Sequence, residues 1–313
     1  MRRADSMIHG LAIVTAGATL LLIMAGGIVT STGAGLAVPD WPTTFGYNLF
    51  LFPWSRMVGA VLIEHAHRLL GAAVGVLTVG LAIATWVTRR ERRLRALAVI
   101  AVVLVCVQGL LGGLRVVLRQ EALAIVHGCL AQGFFTLTAT LVTMTGPEWR
   151  RPARSASLSG TVACLATGVA MLLGGQIVLG ALTTHAGWLP AHLGGAAVTV
   201  IGTGALVVSA RSRAGTPGPI RWRGHLIGGL LVLQVGLGVG AFLARFTGLA
   251  VPGGELIAVG LPVAHRAVSA LLLGLVVTLA VHAWRVVPAD MATGQGPAAS
   301  LVPSTGPVAP AAL

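Results

Sequence analysis

Charged side chains are scarce in this chain. Only 9% of its 313 residues are Asp, Glu, Lys or Arg, whereas 56% are hydrophobic and the mean hydropathy is +0.90. Soluble globular domains carry roughly a quarter charged residues, so the composition excludes that class. The three cysteines, Cys106, Cys129 and Cys164, lack the spacing of a metal site or a loop disulfide. We expect an integral membrane protein in which these cysteines are buried small apolar residues.

Long apolar runs predict the spans. A helix needs about 20 residues to cross a hydrocarbon core of ~30 Å. Runs of that length occur at roughly 10–33, 58–88, 96–117, 122–145, 160–183, 190–210, 225–244 and 259–284. The first run is too long for a signal peptide, so we expect an uncleaved first helix. The tail at 286–313 is rich in Pro, Ala, Gly and Ser and is expected to be disordered.

Lysine is absent, so the formal net charge of +13 comes from 21 arginines. If the eight helices alternate in direction, 15 arginines fall on one side of the membrane and six on the other. The positive-inside rule then places both termini in the cytoplasm. Attraction of this arginine-rich side to anionic lipid accounts for the charge, so we expect no nucleic-acid partner.

Two patterns repeat along the helices. Odd-numbered helices carry a glutamine four residues before a glycine, at Gln108 and Gly112, Gln176 and Gly180, and Gln234 and Gly238, whereas the first helix has only the glycines of "GGIVTSTGAG". Even-numbered helices carry a histidine near their start with a small residue four positions later, at His67, His127, His192 and His265. Four such helix pairs predict two pseudo-symmetric four-helix bundles. We expect the glutamines to form hydrogen bonds between helices.

The four histidines predict a ligand site in each half. Residues i and i+4 share a helix face, so the small residue would leave a flat recess beneath each imidazole. A histidine within the membrane is a functional candidate, although a single one could be a hydrogen-bonded core residue. Two opposed imidazoles in a four-helix bundle suit axial ligation of haem iron. Zinc is the competing metal, but it favours a tetrahedral ligand set. No "CxxCH" motif for covalent haem attachment is present.

Four segments carry a resemblance to a known family: "GLAVPDWPTTFGYNLF", "EHAHR", "HGCLAQGFF" and "VAHRAVSALLLG". Together they resemble the haem A synthase family over roughly residues 10–285. The resemblance implies an oxidoreductase that converts the C8 methyl of haem O to a formyl group by successive hydroxylations, making haem A for cytochrome oxidase. It also implies a haem O synthase and a membrane electron acceptor as partners. The expected location is a bacterial-type plasma (inner) membrane, crossed several times.

The same resemblance implies a role for each half. Residues 1–150 would form the N-terminal half and hold the substrate haem through His67 and His127. Residues 151–285 would form the C-terminal half and hold a haem b cofactor through His192 and His265. His185 is the alternative ligand to His192. Many bacterial members of the family have a cysteine pair flanking the "PxWP" segment of the first outer loop, and this chain has none there.

Charged residues beside the histidines complete the predicted site. Glu64 matches the acidic residue that the family uses in catalysis, but it could instead be a helix-start residue or a salt-bridge partner of Arg68. Arg68 and Arg266 each follow a ligand histidine and could bind haem propionates or extend to the membrane surface. His65 points away from Glu64, which predicts a supporting or lipid-interface role.

Two other functions remain open from the sequence. A bis-haem membrane cytochrome would carry electrons without altering either macrocycle. A haem transporter or chaperone is the third possibility, because duplicated helical halves are also common in transporters.

Overall fold

The computed structural model describes residues 3–150, 159–212, 218–247 and 253–286. These ranges contain nine α-helices: α1 Arg3–Ser31, α2 Gly59–Thr88, α3 Arg92–Leu118, α4 Glu121–Thr145, α5 Pro147–Arg150, α6 Ser159–Ala186, α7 Leu189–Ser212, α8 Gly218–Phe246 and α9 Gly254–Val286. Two short 3-10 turns, Ala34–Leu36 and Trp54–Arg56, lie in the loop between α1 and α2. The described residues contain no β-strand. The tail predicted to be disordered lies, from residue 287 on, outside them.

Eight of these helices, all but α5, are long and apolar enough to cross a membrane, as predicted. Helices α1, α8 and α9 begin earlier than their apolar runs, because hydropathy marks only the part of a helix that lies in hydrocarbon. The helical backbone continues through the polar headgroup region, where residues such as Glu255 are solvated. The four-residue helix α5 was missed because it is too short to show a periodic pattern.

The long helices pack as two rings of four. In the first ring α1 and α3 each contact α2 and α4, and in the second α6 and α8 each contact α7 and α9. Each ring encloses its own apolar core, around Leu81 and Leu141 in the first and around Leu272 and Leu279 in the second. This arrangement is compatible with the predicted two four-helix halves.

Helix α9 joins the two rings, since it packs against α1 and α4 as well as α6 and α8. Glycines allow the close approach. A methyl group added at Gly274 would stand 3.1 Å from Cε1 of Phe135 on α4, and one added at Gly27 on α1 would stand 3.3 Å from Cγ2 of Val263. Small residues have this role between membrane helices, where lipid gives no hydrophobic drive for association.

All four repeated histidines lie toward one side of the helix array. Helices α1, α3, α6 and α8 end on this side, and α2, α4, α7 and α9 begin on it. We term it the histidine side. Arg89, Arg150 and Arg285 lie at the opposite ends of their helices, in agreement with the predicted alternation of spans.

The expected burial of the cysteines is wrong for two of the three. Cys106 and Cys164 are exposed on the outer surfaces of their helices, and Cys129 is half-buried. A lipid-facing position is as apolar as a core position, so hydropathy within a span does not report burial.

His282, at the end of α9 away from the histidine side, is buried. Its Nε2 lies 3.0 Å from Nη2 of Arg223, which also donates to Oε2 of Glu148 at 3.0 Å. The imidazole packs edge-on against Trp149, with ring centroids 5.5 Å apart. Both Glu148 and Trp149 belong to α5, so this short helix supplies the burial that the sequence did not predict.

Replacing Gly274 with leucine is expected to force α4 and α9 apart at Phe135. Overpacking of a close contact costs about 1–3 kcal/mol, so the thermal unfolding midpoint in detergent should fall. The matched control is Gly260→Leu, since nothing lies within 4 Å of an added Cβ at this position on the same helix. Equal midpoints for the two variants would contradict the close contact between the halves.

Candidate functional site

Each of the four histidine rings rests on a glycine of the preceding long helix. A methyl group added at the glycine would approach Cε1 of the ring to 3.1 Å for Gly26 and His67, 3.2 Å for Gly112 and His127, 3.2 Å for Gly180 and His192, and 3.0 Å for Gly238 and His265. Such distances are tighter than ordinary van der Waals contact. The ring therefore occupies the space that a side chain at the glycine would fill.

The recess beneath the imidazole lies between helices and not along one helix, as the i to i+4 spacing had suggested. A methyl group added at Gly71, four residues after His67, would meet only Leu22 within 4 Å and would not reach the ring. The sequence did not single out Gly26, because α1 lacks the glutamine that marks the glycines of the other odd-numbered helices. The glycine pair "GG" in α1 was the available signal.

The predicted hydrogen bonds of the three glutamines are confirmed. Each amide Nε2 donates to the partner histidine. Gln108 donates to the His127 carbonyl at 3.1 Å, and Gln234 donates to Nε2 of His265 at 3.3 Å. Gln176 donates both to the His192 carbonyl at 2.8 Å and to Nδ1 of His192 at 3.0 Å. In addition, Nδ1 of His265 donates to the Gln234 carbonyl at 3.2 Å. The glutamine and the glycine four residues later thus hold the histidine of the next helix from two sides.

The second half brings the rings of His192 and His265 together in an edge-on arrangement. Their ring centroids are 6.5 Å apart and their planes are inclined by 80°. A metal–imidazole bond is about 2.0–2.1 Å long, so two rings sharing one ion have centroids roughly 6 Å apart. The separation fits a shared metal ion, provided that the bond from Gln234 to Nε2 of His265 is released. His185 lies in the last turn of α6 and is not part of this pair.

The first half leaves its two imidazoles without hydrogen bonds. Nδ1 of His67 and Nδ1 of His127 are buried and have no partner among the described residues. The two rings are close enough to interact electrostatically. A buried, unsatisfied polar atom costs about 1–3 kcal/mol, which favours a ligand that uses these rings. Glycine-backed rings with unused nitrogens are what an iron porphyrin requires of a protein.

A tetrahedral zinc site has no support. Among the described residues, no three His, Cys, Asp or Glu side chains come together as a possible metal site. The histidines instead meet in pairs, which is the arrangement for two axial ligands.

Glu64 is buried at the junction of α2 and the first loop, with its side chain 4% exposed. Its Oε1 accepts a hydrogen bond from Nη2 of Arg68 at 2.7 Å, and its Oε2 accepts one from the Val38 amide at 2.9 Å. The salt bridge that the sequence left open is therefore present. Each carboxylate oxygen keeps a second acceptor position, so the salt bridge does not prevent a chemical role.

Arg68 binds the first loop to α2. Its Nη1 donates to the carbonyls of Asp40 at 2.7 Å and Thr43 at 3.0 Å, and its Nη2 donates to the Val38 carbonyl at 2.9 Å as well as to Glu64. These four bonds use every hydrogen of the two terminal nitrogens. A propionate bound by Arg68 through two parallel hydrogen bonds, as its position beside His67 suggested, would have to displace one of them, because only the Nε hydrogen remains.

Arg266 lies where the two halves meet. Its Nη1 donates to the carbonyl of Gly27 on α1 at 3.2 Å, and its Nη2 donates to Oγ1 of Thr184 on α6 at 3.5 Å. Its own carbonyl accepts a bond from Gln132 of α4 at 3.4 Å. These bonds are long, so the guanidinium is less firmly engaged than that of Arg68.

Asp40 organises the tip of the first loop. Its carboxylate accepts bonds from the amides of Phe45 at 2.7 Å and Gly46 at 2.9 Å and from the hydroxyl of Thr43 at 2.5 Å. Both Phe45 and Gly46 have a positive φ, so the carboxylate stabilises a tight reversal of the backbone. Partial burial would raise the pKa of Asp40, but the donated hydrogen bonds outweigh it and lower the pKa below its ordinary 3.8.

His65 also faces this loop, so the lipid-interface alternative is wrong. It is 1% exposed, its Nδ1 is 3.1 Å from the hydroxyl of Thr44, and its ring centroid lies 5.0 Å from that of Phe52. One turn of α2 thus fixes the loop through three residues, His65, Glu64 and Arg68.

Trp41 of the loop packs against Gly113 on α3, although 39% of the residue remains exposed. A methyl group added at Gly113 would fall 2.2 Å from Cδ2 of the indole, so only glycine leaves room for Trp41 there. Gly113 is adjacent to Gly112, which supports His127. The loop therefore covers the first histidine pair from the histidine side. In the second half, only Gly187 and Trp188 connect α6 to α7, so this connection is too short to form a comparable cover.

Gly113→Ala is expected to displace the Trp41 indole and to lower stability by about 1–3 kcal/mol. In a Trp41→Ala background the same change should cost almost nothing, because the clash has been removed. Gly109→Ala on the same helix is the control, since its added Cβ meets nothing within 4 Å. Thermal unfolding of the unmodified chain, Gly113→Ala, Trp41→Ala and the double variant forms a double-mutant cycle, and simple additivity would contradict the packing of Trp41 on Gly113.

Asp40→Asn is expected to destabilise the protein at neutral pH and to have less effect in acid. Because the folded-state pKa of Asp40 is lowered, its contribution to stability is present above 3.8 and is lost as the pH falls through the folded-state value. The difference in unfolding midpoint between variant and parent should therefore narrow below pH 3.8. A constant difference from neutral pH to acid would show that the carboxylate charge has no role.

The comparisons with known proteins agree with this site. Residues 47–192 match the family model described as "Cytochrome oxidase assembly protein". A heme A synthase of Shouchella clausii is 37% identical over 140 residues, which are 43% of this chain and 44% of that protein. A heme A synthase of Bacillus licheniformis is 36% identical over 121 residues, 38% of each chain. A protoheme IX farnesyltransferase of Haloarcula marismortui is 34% identical over 126 residues, 40% of this chain and 26% of that protein.

The chain spans less than half the length of the curated relatives it matches. The matched range of the family model nevertheless includes Glu64 and Arg68 and three of the four repeated histidines, His67, His127 and His192. With these residues in place, residues 47–192 resemble the family described as "Cytochrome oxidase assembly protein", and the curated relatives of this part of the chain include proteins named heme A synthase.

Proposed function

We propose that this protein is a haem A synthase-type oxidoreductase. It would oxidise the C8 methyl of haem O to a formyl group by successive hydroxylations, and so take part in haem A biosynthesis. The likeness to proteins named heme A synthase supports this reaction class. The two histidine pairs on glycine backings support a haem ligand in each half.

The observation that carries the proposal is the difference between two similarly built halves. Both present paired histidines, but only His67 has an acidic residue three positions before it. That residue, Glu64, is buried beneath a loop that has no counterpart between α6 and α7. A site that only held a haem would need neither the carboxylate nor the cover. We therefore assign the substrate and the chemistry to residues 1–150.

In this proposal His67 and His127 orient the substrate macrocycle between α2 and α4. Glu64, held by Arg68 and the Val38 amide, accepts a proton or binds a water molecule at its remaining acceptor positions, beside the substrate edge. Trp41 and the loop limit the access of bulk water to this edge. Arg68 and Val38 would act as positioning groups, because both bind the Glu64 carboxylate.

His192 and His265 of residues 151–285 would hold haem b by binding its iron. Their 6.5 Å separation fits a single shared iron. When bound, haem b supplies reversible one-electron chemistry and so links the oxidation to an electron acceptor. Gln176 and Gln234 fix the orientation of the two rings.

The cellular setting follows from the same proposal. The likeness to bacterial proteins named heme A synthase supports a bacterial-type plasma membrane. The excess of arginine on the side opposite the histidines supports an orientation with both termini in the cytoplasm. One relative is named for farnesylating protohaem IX, which supports a haem O synthase as the partner that provides the substrate. A membrane electron acceptor would complete the reaction.

A bis-haem electron carrier is the second candidate, because both halves build the same kind of histidine pair. The two candidates differ in their products. A carrier would retain two unmodified haems, whereas the oxidoreductase would yield a haem with a formyl group.

The deciding experiment is expression of the protein with a supply of haem O, followed by extraction and mass analysis of the haems. The unmodified chain is expected to yield haem A. Glu64→Gln should fold and keep its Soret absorbance but lower the yield of haem A by at least 100-fold, because the proton acceptor is lost.

The matched control is Glu255→Gln, which neutralises an exposed carboxylate in the first turn of α9 on the same side of the membrane. It should leave the haem A yield unchanged. Normal product from Glu64→Gln would remove Glu64 from the reaction. Two unmodified haems in the unmodified chain would favour the electron carrier.

A further inference from the structure

Arg115 lies on the helix face that supports His127. It is three residues after Gly112 on α3, so the two residues share a face, with Arg115 about 4.5 Å nearer the end of the helix. That end is on the histidine side. The arginine therefore lies just beyond the imidazole of His127, toward the membrane surface.

Its guanidinium reaches across the first ring of helices to the loop. A methyl group added at Gly35 would fall 2.5 Å from Nη1 of Arg115, so the guanidinium lies directly against this glycine. Gly35 is part of the 3-10 turn Ala34–Leu36, which packs on α1 and α2. Arg115 thus extends from α3 to the turn that packs on α1 and α2, beside the first histidine pair.

The positive charge of Arg115 acts on both imidazoles of the first pair, His67 and His127. No carboxylate forms an ion pair with it among the described residues. Its only hydrogen bond there runs from Nη1 to the Gly35 carbonyl, at a long 3.3 Å. Nε and Nη2 are thus left as donors without a protein acceptor in the described part of the chain.

The contrast with Arg68 decides which arginine can serve a ligand. Arg68 is also close to His67, but its four terminal hydrogens already bind loop carbonyls and Glu64. A planar guanidinium with unused donors is suited to a carboxylate, which it binds through two parallel hydrogen bonds. Of the two arginines, only Arg115 has such donors.

We propose that Arg115 binds a carboxylate side chain of the macrocycle held by His67 and His127, and so fixes the rotation of the substrate about its axial ligands. This inference rests on the proposed function, because it takes the first histidine pair to be the substrate site. It assigns to Arg115 the propionate contact that the sequence suggested for Arg68. Fixing the rotation of the ring would decide which methyl group faces Glu64.

The test compares haemin with haemin dimethyl ester, in which both carboxylates are blocked. Purified full-length protein is titrated with each compound while the Soret absorbance is recorded. The part of the absorbance change that is lost in the His67→Ala variant reports binding at the first histidine pair. Arg115→Gln is expected to raise the Kd of haemin about 10- to 100-fold, as for the loss of a charge-assisted bidentate contact. The Kd of the dimethyl ester should change less than about threefold. Arg115→Lys keeps the positive charge but lacks the planar guanidinium, so its Kd for haemin should lie between those of the unmodified chain and Arg115→Gln.

Arg119→Gln is the control, because it removes an exposed arginine from the same end of α3. It should leave both dissociation constants unchanged. Equal weakening of haemin and its ester by Arg115→Gln would mean that Arg115 only supports the loop, and would overturn the inference. Unchanged haemin binding would also overturn it. If no Soret change depends on His67 even in the unmodified chain, the proposed function fails as well, so the two failures are distinguishable.

Discussion

The contact between an imidazole and a bare glycine backbone is the constraint on which the rest of the structure depends. It occurs four times, and each time it joins two consecutive long helices. A larger residue at the glycine would push the ring away and separate the helices. The contact therefore sets both the helix spacing and the orientation of the ring. Because lipid provides no hydrophobic drive, such close packing is also a main source of stability within the membrane.

In addition to these glycine contacts, the first half has an ion pair between Arg68 and Glu64 and a loop that Arg68 binds. Arg68 neutralises a buried carboxylate and ties down three loop carbonyls with the same guanidinium. Breaking a buried pair of this kind is more costly than its net stabilisation, because an uncompensated charge remains. The loop conformation and the position of Glu64 are therefore linked. The half that has this ion pair and loop is the one in which we place the chemistry.

The sequence predicted the elements that repeat or that extend over many residues. The eight spans, the glutamine hydrogen bonds and the possible salt bridge of Glu64 with Arg68 all followed from composition and spacing. Contacts between distant segments did not. Trp41 on Gly113 and Arg115 on Gly35 join residues far apart in the chain, and no local pattern marks them. Burial of Cys106 and Cys164 was wrongly expected because hydropathy cannot separate a lipid-facing position from a core position.

The central place of α9 has a consequence for how the chain can be divided. This helix carries His265 of the second pair, yet it packs on α1 and α4 of the first half, where Phe135 fills the gap left by Gly274. The glycine beneath His67 is adjacent to Gly27, the glycine that accepts a hydrogen bond from Arg266. Although the repeat points to an origin by duplication, the two halves no longer form independent units. Cutting the chain between them would strip each half of part of its interior.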